Sequence, residues 1–188
     1  MKKLITIASG VLLLNLSVLA QGTISFQNVG PAFSAQIKDV AGNFIGAGAA
    51  VTIELLAGTT ATVGAFTPAV TTSLWSGNGW FNVGQSPVAL SSFAGGSHPF
   101  FQVRAWDNSG GVNSYAAALA AGKATGISAV WQLQDGGGLS GLGNPSAVPP
   151  TTAPPLFGMT GFQMVIPEPS TIALGLLGAA AFLFRRRK

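Results

Sequence analysis

Few side chains in this chain can do chemistry, and their spacing narrows the options. His98 is the single histidine among 188 residues. It follows Gly95-Gly96-Ser97 and precedes Pro99, which places it in a loop. A general base needs an oriented partner within hydrogen-bond reach, and none is evident near it. Ser97 does not sit in the strand-to-helix elbow of a nucleophilic serine. With one histidine and no cysteine, the chain cannot assemble a four-ligand structural zinc site by itself. Asp39, Asp107 and Asp135 each lie beside turn residues, in Asp-Val-Ala-Gly-Asn, Asp-Asn-Ser-Gly-Gly and Asp-Gly-Gly-Gly. Oxygen-rich loops suit calcium, but none of these has the dense carboxylates of a calcium loop, and Asx turns account for them. Gly136-Gly137-Gly138-Leu139-Ser140-Gly141 has the glycine spacing of a dinucleotide loop. Such a loop must open a helix onto the pyrophosphate; here Asn144-Pro145 and Pro149-Pro150 follow instead. No catalytic residue, metal ligand or cofactor is assigned.

The four tryptophans, Trp75, Trp80, Trp106 and Trp131, offer another chemistry. An exposed indole can stack on a sugar, whereas in a small β domain the usual fate of tryptophan is partial burial. Trp106 is the best candidate for glycan contact, because strand alternation puts it on one face with Arg104 and Gln102. A pair between Arg104 and Asp107 or Glu54 is the structural explanation of the same arginine.

The elements that must hold these residues are short. Thr23 to Gln27, Val51 to Leu55, Trp80 to Val83 and Phe101 to Trp106 alternate apolar and polar between glycine-rich turns. Phe101, Val103 and Ala105 are expected to face inward. The stretch 127–133 is a further strand candidate. Ser114 is placed to cap a two-turn helix over 115–121, with Gly122 ending it. Many short strands and one small helix predict an all-β fold, a single antiparallel β-sandwich of Ig-like or jelly-roll-like type over 21–134. Residues 135–160 read as a Gly/Pro-rich loop or linker, and 161–166 as a candidate last strand, since Phe162, Met164 and Ile166 alternate.

Both ends of the chain have a different character. Lys2-Lys3, an apolar run to Leu19 and a Val18-Leu19-Ala20 site make 1–20 a secretory signal, with cleavage by signal peptidase expected after Ala20. At the other end stand Pro167-Glu168-Pro169, an uncharged apolar stretch 170–184, and Arg185-Arg186-Arg187-Lys188. As a helix, fifteen residues reach about 22 Å, short of the roughly 30 Å of a bilayer core. Snorkelling arginines and local thinning allow it to reside in the membrane. The basic tail 185–188 acts as the membrane stop and stays cytoplasmic, leaving everything before Pro167 outside. The two prolines keep the helix from running through the motif.

These ends also carry the charge. Of 9 Lys+Arg and 5 Asp+Glu in the chain, the segment 21–166 keeps Lys38, Arg104 and Lys123 against Asp39, Glu54, Asp107 and Asp135, a net of −1. No basic patch argues for nucleic acid. An exported chain without cysteine has no disulfide staples, so its core must hold it, and 146 residues suffice for one domain.

Pro167-Glu168-Pro169-Ser170-Thr171, the apolar stretch beginning Ile172-Ala173-Leu174-Gly175, and the arginine run together resemble the PEP-CTERM sorting signal. The resemblance implies recognition of Pro167, Glu168 and Pro169 by an exosortase, a membrane peptidase or transpeptidase. It further implies cleavage near that motif, transient residence in the inner membrane, and delivery to the cell surface or exopolysaccharide matrix. Phe101-Gln102-Val103-Arg104-Ala105-Trp106-Asp107 and Tyr115 to Gly122, with the Gln-Gly-Thr-Ile-Ser-Phe start after Ala20, resemble small secreted PEP-CTERM proteins of Verrucomicrobia-like bacteria. That resemblance assigns no activity. The expectation is a non-enzymatic exported surface or matrix protein. The alternative is a carbohydrate-binding module that holds extracellular polysaccharide. A glycan-active enzyme is disfavoured, because it needs two carboxylates across a cleft and the domain has four acids in all.

Overall fold

The computed structural model describes residues 21–30, 33–62, 64–73, 75–82 and 87–167. The signal segment 1–20 with Ala20, the apolar stretch 170–184, Glu168, Pro169 and the basic tail Arg185, Arg186, Arg187 and Lys188 lie outside them. Among the described residues no helix is long and apolar enough to cross a membrane.

The strands follow in chain order: β1 Gln21–Ile24, β2 Val29–Gly30, β3 Phe33–Ser34, β4 Val51–Gly58, β5 Thr67–Thr72, β6 Trp75–Gly77, β7 Trp80–Phe81 and β8 Val88–Ala94. After β9 Phe100–Asp107 comes the helix α1 Tyr115–Ala120. Then follow β10 Thr125–Ile127, β11 Trp131–Gln132, β12 Gln134–Asp135 and β13 Gly138–Leu139. The fold is all-β and every strand pair is antiparallel. The main sheet runs β10-β9-β4-β5, with β11 also on β9. A second sheet pairs β1 with β8, and three small ribbons join β2 to β3, β6 to β7 and β12 to β13.

The longest ladder pairs β4 with β9 over eight residues, Val51 opposite Asp107 through Gly58 opposite Phe100. Both strands alternate as the sequence predicts. Ile53 and Leu55 on β4, and Phe101, Val103 and Ala105 on β9, are fully buried. They meet Ile24, Phe26 and Leu90 from the β1–β8 side in one apolar cluster. Period-two alternation thus sends one face of each strand into this shared core.

Asn28 joins the small ribbons to this core. It is fully buried. Its amide donates to the carbonyls of Ala35 at 2.7 Å and Gly79 at 2.9 Å, and its Oδ1 accepts from the Phe81 amide at 2.8 Å. All three bonds go to main chain: to Ala35 just after β3, to Gly79 in the turn between β6 and β7, and to Phe81 in β7. Gly79 has φ of +72°, and a Cβ there would lie 2.4 Å from the Ile37 carbonyl oxygen. Only glycine lets the two segments approach this closely.

The helix starts and stops as expected. Ser114 Oγ accepts from the Ala117 amide at 3.2 Å, and Gly122 at φ +63° follows the last turn. Ala118 is its buried residue.

The segment 135–160 is largely irregular, as a loop reading requires, but it is not a free linker. Leu142, Leu156 and Met159 belong to the core cluster. Gly143 exchanges two backbone hydrogen bonds with Thr23, each 2.9 Å, and the Ser25 amide donates to the Pro154 carbonyl at 2.8 Å. Proline-rich composition disfavours regular strands without preventing burial, and the exposed edge of β1 supplies the hydrogen-bond partners. The triple glycine is a tight hairpin: Gly136 and Gly137, at φ +57° and +91°, join β12 to β13. Two left-handed residues match the twist of the flanking strands.

Candidate functional site

The segment 161–166 lies at the end of the described residues, and its geometry follows from a glycine and two apolar anchors. Gly161 lies so close to Gln36 that a Cβ would meet the Gln36 carbonyl oxygen at 2.2 Å. Met164 is buried in the core, and Phe162 packs against it. A Cβ at Gly126 would strike the Phe162 ring at 2.7 Å, so β10 must be bare there to admit the segment. The chain then makes pairs on both sides. The Lys38 amide donates to the Phe162 carbonyl at 3.0 Å and the Met164 amide to the Lys38 carbonyl at 2.9 Å. Val165 and Thr125 exchange hydrogen bonds of 2.7 and 2.9 Å. The expected last strand is therefore a pair of isolated bridges, Lys38 with Gln163 and Thr125 with Val165. It extends the main sheet beyond β10. Val165 and Ile166 are more than half exposed, and half-buried Pro167 closes the described chain.

A family model of the PEP-CTERM protein-sorting motif matches residues 165–188. The chain carries a PEP-CTERM motif. The match opens on Val165, the last of the described residues to be hydrogen-bonded into the sheet. The sequence expectation at Pro167, Glu168 and Pro169 thus falls inside the matched region. The PEP-CTERM motif implies export, processing by an exosortase and a surface or extracellular location. No curated protein and no solved structure matches the chain.

The tryptophan and arginine candidates stand on the opposite face of β9 from the core. Arg104 Nε donates to Glu54 Oε2 across the β4–β9 ladder, and its guanidinium lies over the Tyr115 ring at 5.1 Å. The neighbour is thus Glu54, one of the two acids named by the sequence; Asp107 takes a different partner. Trp106 is only 2% exposed. Its ring meets Tyr115 edge-on at 6.5 Å, and its Nε1 donates to the Val112 carbonyl at 3.4 Å. Helix α1 and the loop before it cover this face, so the indole presents no free stacking surface. The alternation put Trp106 on the correct side of β9, but a strand pattern does not reveal that a helix lies over that side. Trp75 donates to the Val51 carbonyl at 2.8 Å and Trp80 to Ser34 Oγ at 3.0 Å. Trp131 is 9% exposed and tilts against Phe101 at 5.9 Å.

The remaining polar candidates are held by turns. Asn43 donates its amide to Asp39 at 2.9 Å and Ser109 donates to Asp107 at 2.8 Å. Burial acts to raise the Asp107 carboxyl, but the Ser109 hydrogen bonds and the Lys123 charge outweigh it and hold the group below its ordinary value. Lys123 Nζ is 3.7 Å from Asp107. Among the described residues no three of His, Asp and Glu gather as a metal site. His98 is exposed, and Ser97 Oγ donates to the Ala94 carbonyl at 2.6 Å.

An open cleft of about 440 Å³ lies elsewhere, where 96 and 135–157 meet. Asp135, Ser140, Thr151, Thr152 and Phe157 are among the residues that line it. Sequence reasoning missed it because its walls come from the proline-rich segment read as a linker.

Proposed function

We propose that this is a non-enzymatic exported protein of the cell surface or exopolysaccharide matrix. The stretch 170–184 holds it in the inner membrane until an exosortase cuts near Pro167-Glu168-Pro169. The observation that carries the reading is the PEP-CTERM match at 165–188, set directly after a folded β domain. The architecture that fits is a β-sandwich, with the main sheet facing the β1–β8 pair across the shared core. Intact mass and terminal peptides of protein recovered from the native cell surface test the reading. Loss of 1–20 and of the residues beyond the Pro-Glu-Pro region is expected. An intact Arg185–Lys188 end on protein still in the inner membrane refutes processing.

The second reading is a carbohydrate-binding module. It draws support from the cleft lined by Asp135, Ser140, Thr151, Thr152 and Phe157, an acid, three hydroxyl residues and an aromatic. This is the mix of polar groups and apolar surface that saccharide recognition uses. Binding to the cell's own polysaccharide that is lost on Phe157→Ala and kept on Trp106→Phe is the expected result. The absence of any binding refutes it.

A further inference from the structure

Eight large apolar side chains are exposed among the described residues, and five of them, Val40, Phe44, Ile127, Val165 and Ile166, surround the point where the tail leaves the sheet. The register explains the grouping. Val165 pairs with Thr125, and Ile127 lies two residues along β10 on the same face. Gln163 pairs with Lys38, and Lys38 in turn pairs with Phe44. Gln163 Nε2 also donates to the Val40 carbonyl at 3.0 Å, which fixes that turn beside the exit. Side chains of paired residues share a face, so Ile127, Val165, Lys38 and Phe44 point to one side of the extended sheet. Lys38 is exposed and sits over the Phe44 ring at 5.3 Å. Such apolar clusters are unusual when they serve no contact.

We propose that this face rests on the lipid surface of the membrane that holds the tail. The proposal depends on the reading that 170–184 is membrane-embedded. Four residues, 166–169, separate Val165 from that stretch, so five residue steps lead from Val165 to its first residue, and at no more than about 3.6 Å per step the tether reaches at most about 18 Å. A domain on so short a tether keeps its exit face at the bilayer surface. That face combines apolar side chains with an exposed lysine, the composition that binds an anionic interface. The contact would hold the domain in place while the Pro-Glu-Pro segment is presented, and it would be given up on release.

The chain has no native cysteine, so single cysteines can be labelled cleanly. The full chain is reconstituted in vesicles of phosphatidylethanolamine and phosphatidylglycerol. An environment-sensitive fluorophore is placed by Phe44→Cys, Ile127→Cys, Val148→Cys or Ala180→Cys in separate variants. Val148 is 98% exposed, so it serves as the water-facing reference. Native tryptophan emission confirms that each variant is folded, and since Phe44 and Ile127 are surface residues a failed fold at one leaves the other to report. The expected result is blue-shifted emission and quenching by headgroup-labelled lipid at 44, 127 and 180, with neither at 148. If 180 lies in lipid while 44 and 127 behave like 148, the lipid-facing surface is refuted and anchoring stands. A water-exposed label at 180 overturns the anchoring reading, and this inference with it. Shielding of 44 and 127 from aqueous iodide without lipid quenching, rising with protein density, would assign the face to a second copy and overturn the lipid surface.

Discussion

Replacing Asn28 with alanine should remove the largest share of stability of any single polar substitution. The side chain makes three hydrogen bonds of 2.7, 2.9 and 2.8 Å inside the fold. The consequences differ among the partners. The Gly79 carbonyl also accepts from the Ile37 amide at 3.0 Å, so it stays satisfied. The Phe81 amide loses its acceptor beside a fully buried ring, and the Ala35 carbonyl loses its side-chain donor. Each buried group left unmade costs about 1–3 kcal/mol. Two such groups give about 2–6 kcal/mol for Asn28→Ala, a large part of the roughly 5–15 kcal/mol that holds a typical domain. Urea unfolding of the chain ended at Pro167, followed by tryptophan emission, measures it. Asn28→Asp adds a sign test. A carboxylate would face the Ala35 and Gly79 carbonyls, so its folded-state pKa should rise above the unfolded value. The folded state then binds the extra proton, and this variant should regain stability as pH falls through that window. A loss below about 0.5 kcal/mol for Asn28→Ala, the range of ordinary surface changes, would refute the reasoning that this side chain ties the ribbons to the core.

Two further outcomes are expected. Gly161→Ala forces a Cβ against the Gln36 carbonyl; overpacking of this kind costs about 1–3 kcal/mol, and hydrogen exchange at Met164 and Val165 should accelerate, whereas unchanged protection would mean the segment is not clamped at Gly161. Asp107 is held below its ordinary value, so the folded state binds fewer protons than the unfolded one in the window between the two. Its contribution is present above the unfolded value and lost as pH falls through the folded one. Acid titration of Asp107→Asn should therefore show a shallower loss of stability than the parent chain as pH falls below the ordinary aspartate value, and identical profiles would remove Asp107 from the account.

Local signals carried the strands and the helix a long way. Period-two alternation around Val103 gave β9 its correct faces, and Ser114 with Gly122 bounded α1, because these features depend on neighbours in the chain. The same local logic missed β5 and β8. Thr67–Thr72 contains Pro68, and Val88–Ala94 is rich in serine and alanine; each forms because β4 or β1 offers an edge to pair with. Asn28 gave no signal either, since an asparagine in a turn and one buried under two ribbons look identical in sequence.

The sorting motif is the part that sequence alone determined. Pro-Glu-Pro, an apolar stretch and a basic end act through order and composition, so no tertiary contact is needed to identify them. Tertiary structure decided what stands next to that motif. It packed the proline-rich 135–160 region into the core and closed α1 over Trp106. It also tied Val165, the first residue of the matched motif, to Thr125. Each of these depends on contacts between residues far apart in the chain, where burial of apolar side chains and pairing of main-chain groups outweigh local preference.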